Sequence, residues 1–160
     1  MRMKILLMAA LVLIPTLAAA EIAVENAWVR MPPPVADTAA GYMTIRNSGS
    51  HDVEIVSVES SAAKTPEFHS MEMHDGMMHM QKMEKVVVPA GGEISFGPGG
   101  NHLMLIGLTG TLNAGDHVMI TLKSSDGQRV MVHAEVRDMR KPPAAGHGGM
   151  DHGHGGHHGH

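Results

Sequence analysis

His102-Leu103-Met104 sets an imidazole and a thioether two residues apart. On a β-strand, residues i and i+2 point the same way, so the pair makes a two-donor arm with Leu103 turned to the other side. The same donor types crowd an upstream stretch, FHSMEMHDGMMHMQKM at 68–83, with six methionines and three histidines in its last fifteen residues. Asp75-Gly76 inside it is a strong signal for a two-residue hairpin turn. With the turn there, His74 faces Met77, Met73 faces Met78, Met71 faces Met80 and His69 faces Lys82. One face of the hairpin then carries His69, Met71, Met73, Met78 and Met80; the other carries Ser70, Glu72, His74, Met77 and His79. His69 and Met80 become diagonal neighbours roughly 7–8 Å apart, close enough for both side chains to reach one point.

Two arms of this kind, His69 with Met80 and His102 with Met104, form an N2S2 set. Cu(I) is the ion that suits it, because soft thioethers select soft copper. Thioether sulfur carries no proton near neutral pH, so only the histidines make such binding pH-dependent. The competing reading of a methionine-rich strand is core filler, since methionine packs irregular gaps. The second strand's His-x-Met, the histidine-rich end of the chain and the signs of export weigh toward a metal. His51, His117 and His133 stand isolated in the sequence and read as structural, and Trp28 and Phe96 read as core or edge aromatics.

The elements that must position these donors are short β-type runs: Ile22–Arg30, Ala40–Asn47, Asp52–Ser60, Pro66–Met73, Met77–Val88, Gly92–Phe96, His102–Leu108, His117–Lys123 and Gln128–Val136. Turn residues separate them, as in MPPP at 31–34, NSGS at 47–50, PAGG at 89–92 and GPGG at 97–100. Strands at this density predict an all-β sandwich or small barrel. In VMVHAEV, Val130, Val132, Ala134 and Val136 share one face and His133 lies on the other.

Composition bounds the rest. The chain has 160 residues, no cysteine and a formal charge of −4. Residues 1–20 carry Arg2 and Lys4, an apolar run broken by Pro15, and Ala18-Ala19-Ala20, which reads as a secretory signal peptide; an uncleaved anchor is the less favoured alternative. Removing it leaves ten basic against sixteen acidic side chains, with no basic stripe for nucleic acid and no further membrane span. Zero cysteine excludes thiolate chemistry, blue copper and a lipid anchor through an N-terminal cysteine. Residues 21–139 are expected to form one domain, and 140–160 a disordered tail. That tail holds His147, Met150, Asp151, His152, His154, His157, His158 and His160 among glycines, a donor set that suits Cu(II). Its interrupted histidines favour a native metal-binding tract over an expression tag.

The spacing His69, ten residues, Met80, twenty-one residues, His102-x-Met104 resembles the motif of the periplasmic PCu(A)C copper chaperones. NAWVR at 26–30, AAGYMTIRNSG at 39–49 and GPGGNHLMLIGL at 97–108 are similar to that family as well. The resemblance implies a cupredoxin-like β-sandwich and one Cu(I) at the four positions. It also implies delivery of copper to the copper-bearing subunit of cytochrome c oxidase, often beside a Sco-type protein. Met71, Met73 and Met78 fall outside the four-ligand pattern; packing, alternative ligation and a transfer track all remain open for them. Competing functions are copper storage or detoxification, with the tail as sink, and an exported interaction module without metal. No nucleophile–base pair or paired carboxylates stand out, so an enzyme is not expected.

Overall fold

The computed structural model describes residues 22–140. Ten strands follow one another: β1 Ile22–Arg30, β2 Thr38–Asn47, β3 Val53–Ser60, β4 Ala63–His74, β5 Met77–Lys82, β6 Val86–Val88, β7 Glu93–Phe96, β8 His102–Leu108, β9 His117–Ser124 and β10 Arg129–Arg137. They pair in the order β5-β4-β8-β2-β1-β10-β9-β3-β6, with β7 also on β2. All pairings are antiparallel except β1 with β10. The all-β expectation is met. No described helix is long and apolar enough to cross a membrane.

The apolar faces of nine strands meet in one core that includes Val29, Ile45, Leu103, Leu105, Ile120, Leu122 and Val136; β5 contributes nothing to it. β1 reaches this core along its whole length only because it is irregular. Its pairing with β2 shifts by one residue between Glu25 and Trp28, where Asn26 has φ 52°. The extra residue flips the alternation, so Ile22 before the bulge and Val29 after it both point inward. Trp28 is thereby turned outward, 4.5 Å ring to ring from Tyr42. Asn47, buried at the end of β2, donates to the carbonyls of His51 and Val88 and accepts from the Gly49 amide, which fixes the NSGS turn.

One expected strand divides. The run Met77–Val88 breaks after Lys82, and the chain resumes as β6 at Val86. The cause is a change of partner: β5 pairs with β4, whereas β6 pairs with β3. The Met83 amide donates the last bond toward β4, to the Phe68 carbonyl at 2.8 Å. The Asp75-Gly76 turn lies where the sequence put it. Both residues have positive φ, 51° and 77°, as the favoured two-residue hairpin turn requires. Pairing follows: His69 with Lys82, Met71 with Met80, Met73 with Met78, His74 with Met77.

Leu103 has no solvent exposure and lies between the two outward side chains of β8. Leu103→Ala is expected to cost about 2–5 kcal/mol of stability, the range for a fully buried leucine. Met78→Ala, on a half-exposed position, should change it by less than about 0.5 kcal/mol. Urea unfolding of the two variants checks the contrast.

Candidate metal centre

β8 lies beside β4 with His69 level with His102 and Glu67 level with Met104. Phe68, Leu103 and Leu105 fill the core, so alternation turns Glu67, His69, His102 and Met104 to the outer face. There the two imidazole rings stand 5.8 Å apart, centre to centre, tilted by 47°. With metal–nitrogen bonds of ~2.0 Å, rings so placed can meet on one ion.

Each imidazole is held through one nitrogen, which leaves the other free. His102 Nδ1 is 3.0 Å from the Gly100 carbonyl oxygen. A carbonyl only accepts, so Nδ1 donates, and Nε2 is the nitrogen left for a ligand. His69 Nε2 is 3.0 Å from Glu67 Oε2. The hydrogen bond from His69, and then that from Lys82, hold the Glu67 carboxyl below the ordinary carboxylate range; Lys82 Nζ sits 3.2 Å from Oε1. An ionised carboxylate only accepts, so His69 donates from Nε2 and presents Nδ1. That Nδ1 is buried and has no hydrogen-bond partner. An unsatisfied buried polar atom costs about 1–3 kcal/mol, and an electrophile placed against it would remove the penalty. Hydrogen bonds that orient imidazoles through their second nitrogen are the usual support of a metal site.

Two thioethers border the pair. Met104 follows His102 on the same face of β8, half-buried, and pairs with Ala40 of β2. Met80 sits on β5, opposite Met71 and diagonal to His69, and is 52% exposed. His69, His102 and Met104 therefore stand on a strand pair anchored in the core. Met80 belongs to a two-stranded ribbon, since β4 beyond His69 has only β5 as neighbour. Met73, Met77 and Met78 on this ribbon are exposed. On its reverse face His74 and His79 approach to 6.1 Å between ring centres, and Glu72 contacts His74 Nε2 at 3.3 Å.

Sequence reasoning passed over Glu67. It stands two residues before His69 on the same strand, so alternation alone puts it on the donor face. The Gly100 carbonyl carried no signal, because backbone acceptors are invisible to residue type. The tail donors His147, Met150, Asp151, His152, His154, His157, His158 and His160, and the 1–20 leader, lie outside the described residues.

Comparison with known proteins places this geometry among relatives. Residues 22–136 match the LpqE-like family, described as "Putative lipoprotein LpqE-like". The chain is 34% identical over 116 residues to Lxx21020 of Leifsonia xyli subsp. xyli (strain CTCB07), a protein named as a lipoprotein; the match covers 72% of this chain and 69% of that one. It is 28% identical over 99 residues to the uncharacterized protein RP573 of Rickettsia prowazekii (strain Madrid E), covering 61% of this chain and 55% of that relative. Among solved structures, the copper-bound PCuAC domain from PmoF2 superposes with a TM-score of 0.64 at 22% identity, over 76% of this chain and 96% of that one. Cu(I)-bound DR1885 from Deinococcus radiodurans gives 0.61 at 30% identity, over 78% and 83%. The fold is that of PCuAC domains, as the motif implied.

Glu67→Gln tests the support of His69. A carboxyl whose pKa is depressed by folding stabilises the protein above its unfolded value, near 4.5, and loses that contribution as the pH falls through the lower folded value. The variant should therefore be less stable than the parent at pH 7, by about 1 kcal/mol for this partly exposed pair, and the difference should be smaller at pH 2.5. Urea unfolding at the two pH values gives the comparison; an equal loss at both would place the effect in packing rather than charge.

Proposed function

The chain belongs to the LpqE-like family, and we propose that it is a periplasmic copper chaperone that carries Cu(I). The observation that bears most weight is the pair of imidazoles on one sheet face, each with one nitrogen committed and one free. His69 and His102 supply nitrogen donors, with Nδ1 of His69 and Nε2 of His102 as the ligating atoms. Met80 and Met104 supply thioether sulfur. Copper carried by the similar PmoF2 and DR1885 domains supports the choice of ion. The donor set supports the oxidation state, since two thioethers stabilise soft monovalent copper over hard divalent ions.

A carrier must release what it binds. Three donors stand on the sheet and hold the ion in place, while Met80 stands on the exposed ribbon. An acceptor's own ligands can displace the Met80 thioether first and leave the ion on the remaining donors, so transfer proceeds by stepwise exchange and bare Cu(I) never enters solvent. The protein contributes binding and handover, not catalysis. The acceptor in this reading is the copper centre of cytochrome c oxidase or a Sco-type partner, and export follows from the leader at 1–20. The tail's imidazoles, with Asp151, capture Cu(II), and Met150 offers a thioether once that copper is reduced.

Alanine at His69, Met80, His102 or Met104 should each weaken Cu(I) binding by roughly 100-fold or more without loss of fold. Met83→Ala should leave binding unchanged, because Met83 packs against the core. Titration against a competing Cu(I) chelator measures this, and a Met83→Ala loss equal to that of Met80→Ala would refute the donor set. A single tight Cu(I) marks a carrier; several ions of equal affinity would mark a storage protein instead.

The tail is tested separately. Cu(II) uptake by the full chain should exceed that of a chain ending at Arg140 at pH 7.5, and should collapse as pH drops through ~6.5, where imidazoles protonate. Equal uptake by both chains at pH 7.5 would remove the tail from the reading.

A further inference from the structure

The outer face of β9 and β10 repeats the donor chemistry of the site above. His117-Val118-Met119 is a second imidazole-x-thioether arm, and Met131-Val132-His133 is its reverse on the next strand. Read along the sequence, His117 and His133 are isolated. The register brings them together: Met119 pairs with His133, His117 with Glu135 and Thr121 with Met131. Val118, Ile120 and Ala134 are buried in the core, so alternation sends His117, Met119, Met131 and His133 to the same outer surface.

We propose that His117, Met119, Met131 and His133 form a second soft-metal site, on the β9–β10 face, that takes Cu(I). The arrangement has the logic of the first site. There an opposed pair, His69 and His102, is flanked one row away on one side by Met104 and on the other by Met80. Here the opposed pair is Met119 and His133, flanked by His117 on one side and Met131 on the other. Opposed side chains begin ~4.5–5.5 Å apart and diagonal ones ~7–8 Å apart, within the reach of imidazole and of the long methionine side chain.

The surface gives the four residues no competing employment. Met119 and Met131 are 41% and 69% exposed, so neither fills the core. Among the described residues no hydrogen bond or ion pair holds the imidazole of His117 or of His133. Of the nearby carboxylates, Glu135 is engaged by Arg137 at 3.0 Å, and Glu59, level with Thr121, by Lys123. The donors are thus two imidazoles and two thioethers, a composition that selects soft monovalent copper over hard divalent ions. No donor comes from a ribbon: both arms lie on strands whose other faces are buried.

The test uses the full chain with methionine methyl groups labelled for NMR and Ag(I) as a diamagnetic stand-in for Cu(I). Beyond the first equivalent, the methyl resonances of Met119 and Met131 and the ring resonances of His117 and His133 should shift together. The Met139 methyl, exposed to a similar degree but without this grouping, should stay in place. In a Met119→Leu/Met131→Leu variant the ring shifts of His117 and His133 should disappear while the shifts at Met80 and Met104 persist. The proposal fails if Met119 and Met131 move no more than Met139, if the added metal shifts the tail alone, or if the ring shifts survive in the variant.

Discussion

The complete burial of Leu103 and Leu105 decides where the chemistry of this protein can be. A strand alternates its faces without exception over a regular stretch, so two inward leucines force His102 and Met104 outward. Phe68 does the same for Glu67 and His69 on β4, and its ring packs 4.9 Å from that of Phe96 beneath the site. The imidazole pair is therefore positioned by the core and not by loops. Burial of large apolar side chains contributes roughly 1.5–3 kcal/mol each, far more than the hydrogen bonds that orient the rings. Those bonds, donated by the imidazoles to the Gly100 carbonyl and the Glu67 carboxylate, orient the rings and set the proton positions. The candidate donors stand on the outer face, and most of the stabilising burial lies on the inner face.

The ribbon formed by the distal part of β4 and all of β5 departs from this arrangement. It has no buried residue beyond Phe68, and a two-stranded hairpin alone is marginal in water. The left-handed Asp75 and Gly76 and the stacked pairs Met71–Met80 and Met73–Met78 hold its register. In the proposed carrier, placing one donor on such an element gives the site a firm side and a yielding side. A firm side alone would bind without release, and a yielding side alone would not define a geometry. The exposed thioethers along the ribbon surround Met80 with side chains of its own kind.

Much of this was legible in the sequence because it rests on local rules. The Asp75-Gly76 turn fixed the register of an entire hairpin. The i, i+2 rule placed His102 and Met104 together, and turn residues bounded nine runs close to where strands lie. What was hidden depends on pairing between distant segments. Nothing in the text of 77–88 says that the chain changes partner at Met83. The level placement of His69 and His102 follows from β4 meeting β8, which no local pattern encodes. His117 and His133 looked solitary for the same reason: they are sixteen residues apart along the chain and neighbours only through the β9–β10 register. Glu67 was within reach of the alternation rule, which puts it beside His69 on the outer face of β4.

The parallel pairing of β1 with β10 joins the two ends of the described chain, with Trp28 level with Glu135 and Arg30 level with Arg137. Strand β1 is in the middle of the sheet order although it comes first in the sequence. Until β10 is available, one edge of β1 exposes unpaired amides and carbonyls, and the sheet consists of two unconnected halves. Closing so long a loop comes late, because its entropy must be lost before the contact gives anything back. A chain truncated before Arg129 would lack the strand that bridges β1 to β9, and so would a chain still being synthesised. The sheet is thus continuous only once its tenth strand lies between the first and the ninth.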